Sequence, residues 1–315
     1  MKTTAVVLAF IILSCNQPFD PRGPVDTHLV VFSVLSTDRN TQFVSVTTPL
    51  LPSSFGTSEF YSTDASVSDA IVTILGPGES YRLSDTILHR PSTSEFKFPL
   101  RLYAANLFTP RYGTKYVLSV DSKSRGVAST SVVLPEKPTL YMTSRAYFRL
   151  LQPYQYHSDS LFEFGMKLST VAKGYIARLF LVFDVLNGTH WERIRVQLPV
   201  SVGDSTYSIL FPQYPGLSEC TTSDAFLVIW KIGYLKSIFK DIAQRGYAAN
   251  SFRQVVFEVV QVESNLYSYC LASRVDRDPR SIRLEQPLYP RITGGSYGVV
   301  GGYTLDSLVF YPDGK

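Results

Sequence analysis

The sequence predicts a mainly β fold, in which an N-terminal immunoglobulin-like antiparallel sandwich is followed by a second β-rich α+β domain with about two helices. Twenty Tyr and twenty Phe stand against three Met, and this aromatic enrichment favours strands. Short alternating apolar segments, separated by Gly, Pro and polar turns, recur along the chain as expected for antiparallel sheets. With 315 residues, 45% hydrophobic and 18% charged, the chain is long and apolar enough for two ordinary domains.

Residues 1–14 have the pattern of a secretory signal peptide. Lys2 gives a positive start, and residues 5–13 form an apolar run of nine residues, AVVLAFIIL. A run of this length matches the hydrophobic region of a signal peptide and is too short to span a bilayer as a helix. We therefore expect residues 1–14 to be removed from the mature protein.

The segment Ile12-Leu13-Ser14-Cys15 resembles the lipobox of bacterial lipoproteins. The resemblance implies that the sulfur of Cys15 carries a diacylglycerol, that cleavage occurs before Cys15, and that the new amino group is acylated. Several acyl chains, at about 0.8 kcal/mol per buried CH₂, hold a protein on a membrane far more firmly than one chain. The alternatives are a secreted protein with a chance cysteine, or a short buried strand.

Residues 15–27 are predicted to be a tether between the lipidated Cys15 and the folded body. After Cys15 the segment contains three Pro and one Gly in twelve positions, which excludes a helix or a central strand. Asn16 differs from the Asp that resembles an inner-membrane retention signal, so the outer membrane is favoured. The leaflet, periplasmic or surface-facing, stays open, because only Asp20 and Asp26 stand where surface-exported lipoproteins tend to carry an acidic cluster.

Residues 28–135 are predicted to form the sandwich. Gly76-Pro77-Gly78 is a strong turn signal, and residues 123–126 are predicted to close a hairpin. The segment 135–138, Pro-Glu-Lys-Pro, is expected to be a hinge to the next domain. The predicted strands of this part cover 28–36, 41–48, 70–75, 80–83, 95–100, 115–120 and 128–134.

Residues 139–315 are predicted to form the α+β domain, and its strand signals are the clearest in the chain. Residues 179–185 are nearly all apolar and indicate a central strand. Asn187-Gly188 after it predicts a type I′ hairpin turn, and the imperfect phase of the following strand indicates a bulge near Glu192. The predicted strands here cover 161–168, 177–185, 226–232, 255–262 and 303–310.

Two segments of the second part are predicted to be helices. Apolar residues spaced i, i+3, i+4 and i+7 predict a helix over 234–249, with Gly246 marking its end. A second helix is expected over 265–273, with Asn265 or Ser264 as its N-cap.

Two cysteines remain in the folded body if Cys15 is lipidated, namely Cys220 and Cys270. In an oxidising envelope they either form a disulfide, which would close a loop of about fifty residues and stabilise the fold by roughly 3–4 kcal/mol, or stay two separate buried thiols. The sequence leaves both alternatives open.

The sequence lacks the common signatures of metal, nucleotide and catalytic sites. There is no CxxC, HExxH, GxSxG or Walker motif, and the four histidines are scattered (His28, His89, His157, His190). No cofactor and no metal is therefore predicted, and the mild net charge of +4 does not favour nucleic acid. We predict that the protein is not an enzyme.

Two groups of residues have both a structural and a functional interpretation. One is aromatic and either stacks on a sugar or peptide or packs between the domains: Tyr141, Tyr147, Phe148, Tyr154 and Tyr156. The other consists of carboxylate pairs of the kind a glycosidase uses, Asp276 with Asp278 and Asp204 with Glu192. For residues 274–280, a solvated loop with ion pairs is favoured over a site.

The C-terminal Gly-rich segment gives the sharpest family resemblance. Together with the order of lipobox, Pro-rich tether, sandwich, second domain and late helix, it resembles an uncharacterised Bacteroidetes-type family of outer-membrane lipoproteins often encoded beside TonB-dependent receptors. Arg291, Val300 and Gly302 depart from the family pattern, where Asn, Phe and Ala are usual. The matching residues are Ile292, Thr293, Gly294, Gly295, Gly298, Gly301 and Tyr303.

These features favour an outer-membrane-anchored lipoprotein that is a non-enzymatic binding or accessory component of TonB-dependent nutrient uptake. The expected partners are the membrane, through the lipid on Cys15, and a TonB-dependent outer-membrane receptor. The alternatives are a structural or assembly protein of the cell envelope, and an envelope hydrolase with a dispersed site. The sequence does not identify the ligand.

Overall fold

The computed structural model describes residues 28–49, 61–96, 98–201, 211–221, 225–247, 249–275, 292–294 and 296–311. Within these ranges the protein is mainly β, with three helices and largely antiparallel sheets, which confirms the predicted fold class. The predicted signal peptide and tether, residues 1–27, lie outside the described residues, as do residues 276–291 of the charged loop.

The strands of the first part are β1 (Val30–Ser36), β2 (Thr41–Thr47), β3 (Ala70–Gly76), β4 (Glu79–Arg82), β5 (Ser84–Leu88), β6 (Leu100–Asn106), β7 (Lys115–Ser122) and β8 (Gly126–Val133). Those of the second part are β9 (Thr139–Met142), β10 (Leu161–Lys167), β11 (Gly174–Asn187), β12 (His190–Gln197), β13 (Ser218–Glu219), β14 (Phe226–Lys231), β15 (Ala249–Val262) and β16 (Tyr297–Phe310). The helices are α1 (Ser144–Leu151), α2 (Ile232–Gln244) and α3 (Ser264–Val275).

One nine-stranded sheet runs through both parts of the chain, in the order β12-β11-β15-β16-β1-β2-β6-β5 with the short β13 beside β11. Its described neighbours are antiparallel except β1 and β16, which run parallel. Residues 297–303 of β16 pair with β1, and residues 303–310 pair with β15. The last strand therefore completes the N-terminal sandwich and joins it to the second part.

Two smaller sheets cover the same face of this large sheet. The sheet β4-β3-β7-β8 packs on the first part, and the sheet β14-β10-β9 packs on the second together with α1 and α2. Val300 of β16 lies in the first core, whereas Leu308 and Phe310 pack against the second. Because side chains alternate along a strand, these three residues point to one face. We call the opposite face, which carries α3 at its middle, the open face.

Both predicted helices are confirmed, although the one predicted over 234–249 ends at Gln244 and Ala249 already begins β15; the third helix, α1, was not predicted. The helix α2 buries Leu235, Ile238 and Ile242, the stripe that predicted it, and Gly246 follows its end with a φ of 77°. The eight-residue helix α1 buries only Ala146 and Leu150, too few positions for a recognisable period.

The hairpin between β11 and β12 is confirmed, but its turn differs from the predicted one. Asn187 pairs with His190, so the two central residues are Gly188 and Thr189 rather than Asn187 and Gly188. Of these two, only Gly188 has a positive φ, 62°. Glycine at the first central position with a positive φ fits a type II′ turn and not a type I′ turn, which needs two such residues.

The bulge predicted near Glu192 is wrong, because β11 and β12 pair in unbroken register. Trp191 departs from the apolar phase of β12 simply because it points to the open face. The irregularity lies on the other side of β11, where the pairing jumps from Gln254 to Phe252 and leaves Arg253 as the extra residue of β15.

The strand predicted over 95–100 is also wrong, since β6 begins only at Leu100. The guanidinium carbon of Arg90 lies 4.4 Å from the ring centre of Phe96 and 5.5 Å from that of Phe98. Both rings therefore pack on Arg90, although Phe96 lies in no strand. Pro99 in addition has no N–H to donate to a neighbouring strand.

The segment 135–138, predicted as a hinge, crosses the large sheet between the two smaller ones and is held by a buried glutamine. Gln261 of β15 donates from Nε2 to the carbonyl oxygen of Glu136 at 2.8 Å and to Oγ1 of Thr304 at 3.2 Å. Its Oε1 accepts from the backbone N–H of Ser169 at 2.7 Å. One fully buried side chain thus connects the linker to both central strands.

We expect Gln261→Leu to lower the free energy of unfolding by about 1–3 kcal/mol. Leucine is apolar and would leave the buried backbone N–H of Ser169 without its partner, and the part-buried carbonyl of Glu136 would lose the same hydrogen-bonding group. Thermal unfolding of the purified protein measures the effect, and the exposed Gln244→Leu is the matched control, expected to change stability by less than about 0.5 kcal/mol. Equal stability of the two variants would show that these hydrogen bonds do not hold the linker.

Candidate functional site

Cys15, the predicted lipidation site, lies outside the described residues. Cys220 and Cys270 are both described and half-buried, and no disulfide joins them. Cys220 follows β13, where its backbone N–H donates to the carbonyl oxygen of Lys173 at 2.9 Å, and Cys270 lies on α3. Of the two alternatives for this pair, the structure has the separate thiols.

The other candidate polar residues do not come together into a site in the described part of the chain. No group of three or more His, Cys, Asp or Glu side chains there is placed to hold a metal ion. Glu192 is exposed on the edge strand β12, and Asp204, Asp276 and Asp278 lie outside the described residues. The carboxylate pairs therefore stay predictions.

The aromatic cluster predicted between the domains surrounds α1 and the turn after it. Tyr141 of β9 covers the face of Gly165 on β10, its cross-strand partner. The ring of Tyr154 lies 6.3 Å from that of Phe239 on α2. These contacts favour the packing interpretation for Tyr141, whereas Tyr154 and Phe148 also present most of their surface to solvent.

The open face carries an ion-pair cluster centred on Asp184 of β11. Its carboxylate accepts from Nε of Arg193 on β12 at 2.8 Å and from Nε of Arg253 on β15 at 2.7 Å. Arg253 is the extra residue of the β15 bulge, and the bulge directs it towards Asp184. The hydrogen bond from Arg193, with help from Arg253, holds the pKa of the Asp184 carboxyl below its ordinary value, so the carboxylate is charged at neutral pH.

A second cluster lies farther along the same strands. Glu258 of β15, whose side chain is only 9% exposed, pairs with Arg178 of β11 and with Arg195 of β12, the latter at 2.8 Å. Arg195 also lies over the ring of Phe180, with its guanidinium carbon 3.6 Å from the ring centre. The two clusters set four guanidinium groups against two carboxylates, which leaves a local charge of +2.

The other half of the open face is apolar. Phe32 and Val34 of β1 and Phe43 of β2 are each more than one-third exposed there, and they line a groove of about 320 Å³. The ring of Phe32 lies 6.1 Å from that of Tyr269 on α3, so the helix borders the groove. The open face thus has an apolar half and a cationic half, on either side of α3.

In the Gly-rich tail that carries the family resemblance, residues 297–303 form the first half of β16, residues 292–294 precede it, and Gly295 lies outside the described residues. The carboxylate of the buried Glu263 accepts from the backbone N–H groups of Asn265 and Leu266 in α3 and of Gly302 in β16. Glu263 is therefore the N-cap of α3, a role predicted for Asn265 or Ser264. It also fixes the helix to the tail.

The chain matches no protein-family model, and a search of curated proteins finds no similar sequence. Among the helices of the described residues, none combines the length and the apolar composition that a membrane crossing requires.

The cationic half of the open face was not predicted from the sequence. A local signal exists, since Arg193 and Arg195 alternate along β12 and point to one side. Glu258, the partner of Arg195, is however more than sixty residues away along the chain and reaches it only through the pairing of β11 with β15. Such a cluster is visible only once the order of the strands is known.

Proposed function

We propose that this chain is a lipoprotein anchored in the outer membrane through Cys15, and that its folded body is a binding or accessory component of TonB-dependent nutrient uptake. The main support for the proposed lipid anchor is the apolar run of nine residues followed directly by Ser14 and Cys15. Anchoring confines the body to two dimensions and raises its effective concentration near a membrane partner.

The open face supports the binding role. Phe32, Val34 and Phe43 present adjacent apolar surface to solvent, and contiguous exposed apolar surface on a soluble body marks an interaction site. The neighbouring cationic half adds polar groups that give a partner its orientation. The connection with TonB-dependent transport is supported by the resemblance of the Gly-rich tail, residues 292–303.

We expect the wild-type protein to take up labelled palmitate in bacterial cells and the Cys15→Ala variant to take up none. The two proteins should differ because the acyl chains are attached to the sulfur and to the new amino group of Cys15. Labelling, mass spectrometry of the mature N-terminus and membrane fractionation measure the outcome. The matched control is Cys220→Ala, which should keep its label. An unmodified mature N-terminus in the wild type, or label retained in Cys15→Ala, would contradict the anchor.

The accessory role has a separate test. Mild detergent extraction of native membranes, followed by capture of the lipidated protein, should recover a TonB-dependent receptor in stoichiometric amount. A variant with Phe32→Ser and Phe43→Ser should recover less of it if the apolar half of the open face forms the contact. Recovery of the anchored protein without any receptor would contradict the transport role and leave the anchor intact.

A further inference from the structure

The cationic half of the open face has the features of a ligand-binding surface. It consists of Arg178, Arg193, Arg195 and Arg253, the carboxylates Asp184 and Glu258 between them, and Trp191 on the edge strand. We propose that it binds an acidic polysaccharide, a chain of sugars that carry carboxylate or sulfate groups. The inference rests on the proposed function, because it names the ligand class of the anchored body.

The charge of the surface favours an anionic ligand. Arg253 uses its Nε, and Arg195 one Nη, for the carboxylates beneath them. A guanidinium group has five N–H donors, so both arginines keep donors that face solvent. Their side chains are 47% and 44% exposed, respectively. The carboxylates hold these guanidinium groups in place. Less side-chain conformational entropy is therefore lost when a carboxylate or sulfate of the ligand binds them.

An exposed aromatic ring stands beside the charges. Trp191 is 59% exposed and has the same parity on β12 as Arg193 and Arg195, so it points to the same face. A flat aromatic ring with an apolar body stacks on the apolar face of a sugar ring. An acidic sugar can be bound through its acidic groups and through the apolar face of its ring. This surface has guanidinium donors for the first and an aromatic ring for the second.

The dimensions favour a polymer over a small anion. Trp191 and Arg195 are four residues apart, about 13 Å along the strand, and β12 and β15 are two strand spacings apart, about 10 Å. These side chains lie on an exposed sheet face, where each sugar unit would make few contacts. Repeated units on one chain raise the overall affinity of such a surface through multivalency. A lipid bilayer is less suited, because the next two side chains on the same side of β12 after Trp191, Arg193 and Arg195, are charged and disfavour insertion.

We expect the mature lipidated protein in detergent micelles to bind polygalacturonate or dextran sulfate more tightly than neutral dextran of the same length, at physiological ionic strength. The double variant R195Q/R253Q should weaken this binding about tenfold or more, because each substitution removes a charge-assisted hydrogen bond to the polysaccharide. The variant should still fold, since Glu258 keeps Arg178 and Asp184 keeps Arg193 as partners. Trp191→Ala should weaken it by about fivefold. Affinity electrophoresis or calorimetry gives the ratios, and melting temperatures confirm that the variants are folded.

The matched control is R82Q/R125Q, which removes the same charge from exposed positions on the small sheet β4-β3-β7-β8. It should change the affinity by less than about twofold. An equal loss in both double variants would mean non-specific attraction and would overturn the proposal. So would equal affinity for polyglutamate with no effect of Trp191→Ala, which indicates an acidic protein partner, or binding confined to phosphatidylglycerol vesicles. Absence of polysaccharide binding by a protein that still carries palmitate would contradict this inference alone, whereas binding by a wild-type protein whose mature N-terminus is unmodified would contradict the anchor alone.

Discussion

Gly298→Ala is expected to lower the free energy of unfolding by about 4 kcal/mol or more. Gly298 lies in β16 opposite Val31 of β1, within the one parallel pair of the described strands. Its φ is 119°, a conformation that L side chains rarely adopt. A Cβ atom at this position would overlap the carbonyl oxygen of Val31, and backbone cannot move aside as a flexible side chain can. The substitution therefore forces β1 and β16 apart.

The melting temperature of the purified protein measures this effect. At an unfolding entropy of about 2.1 cal/mol/K per residue, a loss of about 4 kcal/mol corresponds to a decrease of about 6 °C for a chain of about 300 residues. Gly126→Ala is the matched control, because Gly126 has a φ of 85° but open space where its Cβ would lie. Its cost should be limited to the backbone strain of about 1–2 kcal/mol. If both variants lost the same stability, close approach of the two strands would not be the reason for glycine at position 298.

The parts of the fold that could be predicted are those that leave a local pattern in the sequence. Strands such as β1 and β2 are visible in the sequence because burial alternates along them, with Val31, Val44 and Val46 facing the core. The stripe of α2 and the hairpin at Gly188 are equally local. The sequence does not show that β16 pairs with both β1 and β15. The pairing with β1 joins residues more than 250 positions apart, the pairing with β15 joins residues 41 to 55 positions apart, and neither leaves a local period.

The candidate site shows the same limit. The hairpin between β11 and β12 was placed correctly, but a turn centred on Asn187-Gly188 would pair Arg193 with Val182 instead of Asp184. That error of two positions keeps the face of the sheet and changes the partner. The bulge that brings Arg253 to Asp184 lies on a strand about seventy residues away and has no signature in the sequence that could have located it.

Glu263→Ala is the second change for which a large loss is expected, about 3 kcal/mol. The carboxylate of Glu263 accepts from the N–H groups of Asn265 at 2.7 Å, Leu266 at 2.8 Å and Gly302 at 3.2 Å. Alanine removes the N-cap of α3, which accounts for about 1 kcal/mol. It also leaves the N–H of Gly302 buried without a partner, which accounts for about 2 kcal/mol more. The control is Glu219→Ala, an exposed carboxylate that pairs with Lys173, with an expected cost below about 1 kcal/mol.

The pH dependence of this loss distinguishes Glu263 from an ordinary surface carboxylate. Burial raises the pKa of Glu263 above its ordinary value of 4.5, although the three backbone N–H groups act in the opposite direction. The folded protein then binds this proton more tightly than the unfolded chain does. The stabilisation by Glu263 is therefore greatest below pH 4.5 and declines as the pH rises through the pKa of the folded state. Denaturant titrations should give a larger difference between wild type and Glu263→Ala at about pH 4 than at about pH 7. A difference that grew with pH would mean that the ionised carboxylate is the favoured form and that burial does not control this residue.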